Sequence, residues 1–186
     1  MKKIFLLISA IALFSLSGCA SVEMLKQTND APPAGSELAV LFFDHANYAV
    51  GEKATNVAVD IITNNRGEIA FTPSKSEEIL RINKVVIPRR ISPDFIMSIS
   101  KLFPVKYIMV GEVTSWYKGH AAFPTAKSTL FGSSVSVYRI SDGQLIWSAS
   151  FDDVGGGGIF AENPEILAIS TYKKIFKTWK GFITKY

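Results

Sequence analysis

The period of the apolar positions changes several times along the chain, and each change marks an element. Leu38-Ala39-Val40-Leu41-Phe42-Phe43 is a continuous apolar run, which predicts a strand buried on both faces. Val50, Ala54, Val57, Ala58 and Ile61 then recur at helical spacing, and Gly67 after Asn64-Asn65-Arg66 supplies a helix stop. Glu68–Thr72 is a short strand candidate, and Ser74-Lys75-Ser76-Glu77 has the form of a capping box opening a helix through Leu80. Ser92-Pro93-Asp94 combines a cap, a first-turn proline and a first-turn acid, so a helix is expected from there to Phe103, stopped by Pro104. Val105–Trp116 reads as a strand.

Leu130–Ile140 and Leu145–Phe151 read as the arms of a hairpin, turned by Ser141-Asp142-Gly143-Gln144. In the first arm Phe131, Ser133, Val135, Val137 and Arg139 share one face, and Leu130, Gly132, Ser134, Ser136 and Tyr138 share the other. The last helix carries Ala168, Tyr172, Ile175, Phe176, Trp179 and Phe182 on one side and Ser170, Lys173, Lys174, Lys177 and Lys180 on the other. It is expected to pack on the sheet with a solvated lysine face; the competing reading is a helix lying on a membrane surface. The order predicts a single α/β (α+β) domain over residues 37–186. Its mixed sheet has a hairpin in the C-terminal half, helices on its flanks and an amphipathic helix to close it.

The first residues follow another logic. Met1-Lys2-Lys3, the apolar run Ile4–Leu13 and small residues ahead of Cys19 describe a secretory signal peptide over residues 1–18, too short for a comfortable membrane span. Leu16-Ser17-Gly18-Cys19 resembles the lipobox of bacterial lipoproteins, and Cys19 is the only cysteine in the chain. The resemblance implies cleavage before Cys19 and lipidation of its thiol. Ala20, where an Asp would favour inner-membrane retention, implies the periplasmic face of the outer membrane. Ala20–Ser36 reads as a tether, rich in breakers from Gln27 onward and admitting a short helix over Val22–Lys26. Seventeen flexible residues would span roughly 20–25 Å.

Composition narrows the picture. An apolar content of 48% with 13 phenylalanines can fill a core. Removal of Lys2 and Lys3 with the leader leaves 18 basic against 16 acidic residues, a net +2, which gives no nucleic-acid footprint. One cysteine excludes an intrachain disulfide.

Candidate chemistry is sparse. His45 and His120 have no partner at metal-ligand spacing, and no cofactor motif is present. Asp44-His45 follows the first strand, where α/β sheets place ligand sites, so a hydrolase or small-ligand site there is the alternative to a non-catalytic role. Gly155-Gly156-Gly157-Gly158 lacks the Lys-Ser/Thr of a phosphate loop and reads as a flexible connection to the last helix. Asp152-Asp153 alone make a poor cation site. Trp116, Tyr117, Phe123 and Phe160 fall at strand ends or in loops, as candidate anchors for a partner or a membrane, with core packing the competing reading for the first two. Trp147, inside a strand, is expected in the core.

Three segments carry a family resemblance. Val105-Lys106-Tyr107-Ile108-Met109-Val110-Gly111-Glu112-Val113, the stretch Ser136–Ser148 with its Asp142-Gly143 turn and Leu145-Ile146-Trp147-Ser148, and the closing helix are similar to those of the CsgG-like envelope lipoproteins. That group also holds LpoB, PelC and the amino-terminal domain of TolB. The likeness spans roughly residues 37–181, and Val113–Lys118 is most similar to the exopolysaccharide-export member. It implies a non-catalytic accessory or assembly subunit of an envelope export or assembly complex, with envelope proteins or further copies of itself as partners and the membrane reached through Cys19. A pore is not expected, because Lys118–Thr129 contains Pro124 and cannot supply two spanning strands. A short tether also speaks against a role that must reach across the periplasm.

Overall fold

The structure is a computed structural model that describes residues 22–27, 36–65, 68–88, 90–119, 128–157 and 163–179; for 22–27 and 156–157 the backbone alone is described. Six strands form one open sheet: β1 Val22–Gln27, β2 Glu37–Val40, β3 Glu68–Phe71, β4 Tyr107–Tyr117, β5 Ser128–Arg139 and β6 Leu145–Gly157. Their spatial order is β1-β6-β5-β4-β2-β3. β2 runs parallel to both β3 and β4, while β4, β5, β6 and β1 pair antiparallel. Among the described residues four helices accompany the sheet: α1 Tyr48–Asn64, α2 Pro73–Ile82, α3 Pro93–Ser98 continued by a 3-10 turn at Ser100–Leu102, and α4 Pro164–Lys177. The mixed sheet, the hairpin and the closing helix are those the sequence predicts.

Alternation along β2 divides the core. Leu38 and Val40 join Met109, Val135, Val137, Trp147 and Phe151 beneath α1 and α4. Ala39 and Leu41 face the other way, against Leu80 of α2, Ile96 of α3 and Phe103. Leu38, Ala39, Val40 and Leu41 are all buried, which explains the uninterrupted apolar run. Each large apolar side chain so buried contributes about 1.5–3 kcal/mol relative to an exposed one. On α4, Tyr172, Ile175 and Phe176 are buried, as is Trp179 just after it, and Lys173 and Lys174 are exposed, so this helix packs on the sheet. Trp147, fully buried, stacks on Trp179 with ring centroids 5.0 Å apart. Phe182 and Lys180 lie outside the described residues.

The hairpin turn is set locally. Gly143 takes φ 66°, which favours glycine, and the Asp142 carboxylate accepts from the Gln144 amide and from Arg139. These bonds hold the Asp142 carboxyl below its usual range, the Arg139 hydrogen bond being the first cause.

Four expectations need correction. Val22–Lys26 lies in a strand, not a helix, so the stretch 20–36 is not tether throughout. β1 pairs with β6, Val22 opposite Phe151 and Gln27 opposite Trp147, and partnership with a distant strand outweighs the weak local helical spacing. The four glycines do not open a loop, since Gly155–Gly157 continue β6 and Gly157 pairs with Ser128; Gly158 lies outside the described residues. α2 is capped two residues earlier than Ser74, by Thr72, whose hydroxyl accepts from the Lys75 amide, with Pro73 in its first turn. α3 stops at Ser98 and tightens into a 3-10 turn before reaching Phe103.

Candidate functional site

The passage from β2 into α1 is a rigid corner. The Phe43 amide donates to the Thr55 hydroxyl at 2.8 Å, and that hydroxyl donates to the Gly51 carbonyl at 2.6 Å, both buried. Glycine is required twice. A Cβ on Gly51 would overlap the Phe43 carbonyl oxygen, and one on Gly111 would fall 2.7 Å from the Phe43 ring. Beyond the corner the Asp44 amide donates to the Gly111 carbonyl and the Val113 amide to that of Asp44, each at 2.9 Å, which bridges Asp44 to Glu112. The two acidic residues therefore stand side by side.

This corner forms one side of a cleft of about 660 Å³, a size that suits a small ligand. Leu41, Val110 and Tyr138 give it an apolar base, and Ser134 and Ser136 of β5 add hydroxyls. Asp44, His45, Tyr48, Glu77, Glu112 and Arg90 bring charge and polarity to its walls. The Tyr48 phenol donates to the Glu77 carboxylate at 3.0 Å. Its pKa is pushed up to about 12, first by desolvation and then by that carboxylate. Burial likewise raises Tyr138.

His45 is engaged by its own loop. Its Nδ1 lies within hydrogen-bond distance of both the Asn47 amide, at 2.9 Å, and the Asn47 carbonyl oxygen, at 3.1 Å. Asn47 in turn caps α1 by accepting from the Ala49 amide. Ser136 bonds Ser148, hydroxyl to hydroxyl, at 2.9 Å. Among the described residues no cluster of three or more His, Cys, Asp or Glu could hold a metal ion. Carboxylates, hydroxyls and a guanidinium around an apolar base can bind and orient a small polar molecule; a nucleophile held by a general base does not emerge from this geometry.

Asp44 and His45 thus both line the cleft. Of the predicted aromatics, Trp116 and Tyr117 do not line it. Trp116 is half-buried, edge-on to Phe131 at 5.5 Å, and belongs to the core's border. Tyr117, the next residue, is exposed. Cys19, His120, Phe123 and Phe160 lie outside the described residues. Sequence reasoning missed Tyr48, Glu77, Arg90 and Glu112, which come from three helices or loops and a strand and share no spacing. Ser134, Ser136 and Tyr138 were placed together on one face by strand alternation.

No family model matches the sequence. No curated protein matches it either. Solved structures share the fold. The PelC dodecamer from Paraburkholderia phytofirmans is similar with a TM-score of 0.58 at 15% identity, over 90% of this chain and 99% of that one. The lipoprotein GNA1162 from Neisseria meningitidis is similar at 0.54 and 13% identity, over 76% of this chain and 99% of that one. The hypothetical protein CT253 from Chlamydia trachomatis follows at 0.51 and 11% identity, over 81% and 99%. At these identities the likeness is one of fold. It places the domain in an architecture shared with a lipoprotein and with a subunit of a dodecamer.

Proposed function

We propose that this chain is a lipid-anchored, non-catalytic subunit at the periplasmic face of the outer membrane, which assembles with copies of itself or with other envelope proteins in an export or assembly complex. The observation that carries the reading is a coincidence. A segment resembling a lipobox and ending in the only cysteine of the chain precedes a domain in a chain whose fold is similar, over 90% of the chain, to a subunit of a dodecamer. Heterologous contacts whose rotation closes give cyclic oligomers.

Two measurements test it. Intact-mass analysis should show a chain that begins at Cys19 and carries acyl groups, and Cys19→Ser should move the protein from the membrane fraction to the soluble one. Light scattering in mild detergent should then give an oligomer or a complex with an envelope protein; a monomer at micromolar concentration that co-purifies with nothing would refute assembly.

The cleft favours a second reading, a small-ligand site beside Asp44 and His45. His45→Ala should leave the cellular phenotype of the gene intact if assembly is the function. Loss of the phenotype with an unchanged unfolding temperature would move the function into the cleft.

A further inference from the structure

One face of the antiparallel half of the sheet changes character along its length. Cross-strand partners share a face, so the pairing register can be read as rows. Ile108 stands beside Tyr138 in the core, and then come the small polar rows Val110-Ser136-Ser148 and Glu112-Ser134-Ser150. Next, Gly132 pairs with Asp152, whose carboxylate accepts from the Thr114 hydroxyl at 3.4 Å across the space a side chain on Gly132 would fill. Past this polar band the face turns apolar again. Tyr117 pairs with Leu130 and Leu130 with Val154, a row across three strands whose members are 38%, 38% and 58% exposed. This apolar row, beyond a polar band and at the end of the sheet, is in neither buried cluster and is partly open to solvent.

The register of β1 says what lies at that end. Val22, its first residue, sits opposite Phe151 of β6, three residues before Val154 and so about 10 Å along the strand from it. Cys19 precedes Val22 by three residues and can lie no more than roughly 11 Å from it. An acyl group on Cys19 therefore holds this end of the sheet, and not the Ser141–Gln144 turn, against the lipid.

We infer that Tyr117, Leu130 and Val154 form a membrane-docking edge that seats this end of the sheet in the headgroup region of the bilayer to which Cys19 is anchored. The inference rests on the lipid-anchor reading above and adds the orientation of the domain. The chemistry fits an interface. Tyrosine keeps its ring in the apolar boundary and its hydroxyl in the headgroups. Lys118, exposed and next in sequence, faces anionic lipid favourably. Asp152, one row inward, limits immersion to about one pleat repeat, roughly 7 Å. A second copy could also cover an apolar row, but the short covalent reach to the anchor favours the bilayer.

The test uses the full-length acylated protein, whose native thiol is blocked, in vesicles of phosphatidylethanolamine and phosphatidylglycerol. Leu130→Cys, Val154→Cys and Ser141→Cys each carry one environment-sensitive fluorophore, with folding checked by thermal unfolding. Emission should shift to the blue and strengthen at 130 and 154 on vesicle binding and stay unchanged at 141. Independently, lipid-borne bromine should quench Tyr117→Trp more than the parent chain. If the protein floats with the vesicles and none of these signals differs from the control, the docking edge is overturned while the anchor stands. If it does not float and Cys19 has the mass of a free thiol, both fall. A blue shift in the soluble Cys19→Ser chain that grows with protein concentration, without vesicles, assigns the row to a second copy and also overturns the inference.

Discussion

Gly51 in the first turns of α1 offers a prediction whose sign is in dispute between local and tertiary physics. A glycine inside a helix is ordinarily a weakness, and replacement by alanine should stabilise by about 1 kcal/mol. Here the helix approaches the end of β2 so closely that an alanine Cβ would overlap the Phe43 backbone carbonyl oxygen, an atom that cannot rotate aside. Gly51→Ala must push α1 off the corner. The movement stretches the paired bonds from the Phe43 amide to the Thr55 hydroxyl and from that hydroxyl to the Gly51 carbonyl. Overpacking costs about 1–3 kcal/mol, and a weakened buried hydrogen bond costs about 1 kcal/mol more. Set against the helical gain, the net loss is about 1–3 kcal/mol. For a domain of this size that is a fall in Tm of roughly 2–12 °C. Urea unfolding of the Cys19→Ser chain, followed by emission of the buried Trp147 and Trp179, measures it. A variant as stable as the parent, or more stable, would refute the close approach and with it the rigidity ascribed to the cleft's rim.

Two further predictions concern the layer beneath α4. Burial raises the Tyr172 phenol well above its ordinary value of 10.0, only partly offset by its hydrogen bond with Ser133. A folded-state value above the unfolded one means stability that is complete below pH 10 and is lost as pH rises, by up to about 1.4 kcal/mol per pH unit for one group. Tyr172→Phe should therefore flatten the alkaline limb of a pH-dependent urea midpoint; an unchanged slope would show that the phenol does not stay protonated in the fold. Trp179→Ala removes a fully packed ring stacked on Trp147 and should cost about 3–5 kcal/mol in urea unfolding. A loss below about 1 kcal/mol would mean that the end of α4 is not docked.

The elements that were legible in the sequence are those whose signal is local. β2 reads as an uninterrupted apolar run because its alternate residues enter two different cores, and α1 and α4 read by period because each buries one stripe. β1 was illegible for two reasons: its register slips between Met24 and Lys26, which spoils the alternation, and its partner lies more than a hundred residues away. The glycines of β6 carry no side chain, so nothing in their pattern announces a strand, although Gly157 finds a partner in Ser128. At Thr72-Pro73 a cap and a first-turn proline stood in the sequence, but the box-like Ser74–Glu77 competed with them. The cleft was half legible. Asp44 and His45 follow from the position of β2, and the serines from alternation in β5. Glu77 and Arg90 arrive from segments that only the tertiary fold brings near.

The strand at residues 22–27 changes the mechanical argument as well as the topology. A tether of seventeen residues would let the domain tumble at the membrane, and exposed residues would then carry no orientation. With β1 hydrogen-bonded to β6, only Ala20 and Ser21 separate Cys19 from the sheet in sequence, and on the proposed anchoring lipid and sheet would become one mechanical unit. Seating the Tyr117 row at the headgroups then places Glu112 and Asp44, five residues back along β4, about 15 Å from that boundary. On that proposed seating the cleft would open into water and not into lipid, which suits its carboxylates and Arg90: buried in hydrocarbon, each would carry a prohibitive desolvation cost. Fixing one edge of each copy at the bilayer also removes most of its rotational freedom before any contact with a neighbour forms. Association on the membrane surface would thereby lose part of its entropic penalty, so a lateral contact that holds copies together in detergent would hold them at lower concentration on the bilayer. The acylated chain in vesicles should consequently cross-link into oligomers at concentrations where the Cys19→Ser chain remains monomeric, and equal cross-linking of the two would detach assembly from the anchor.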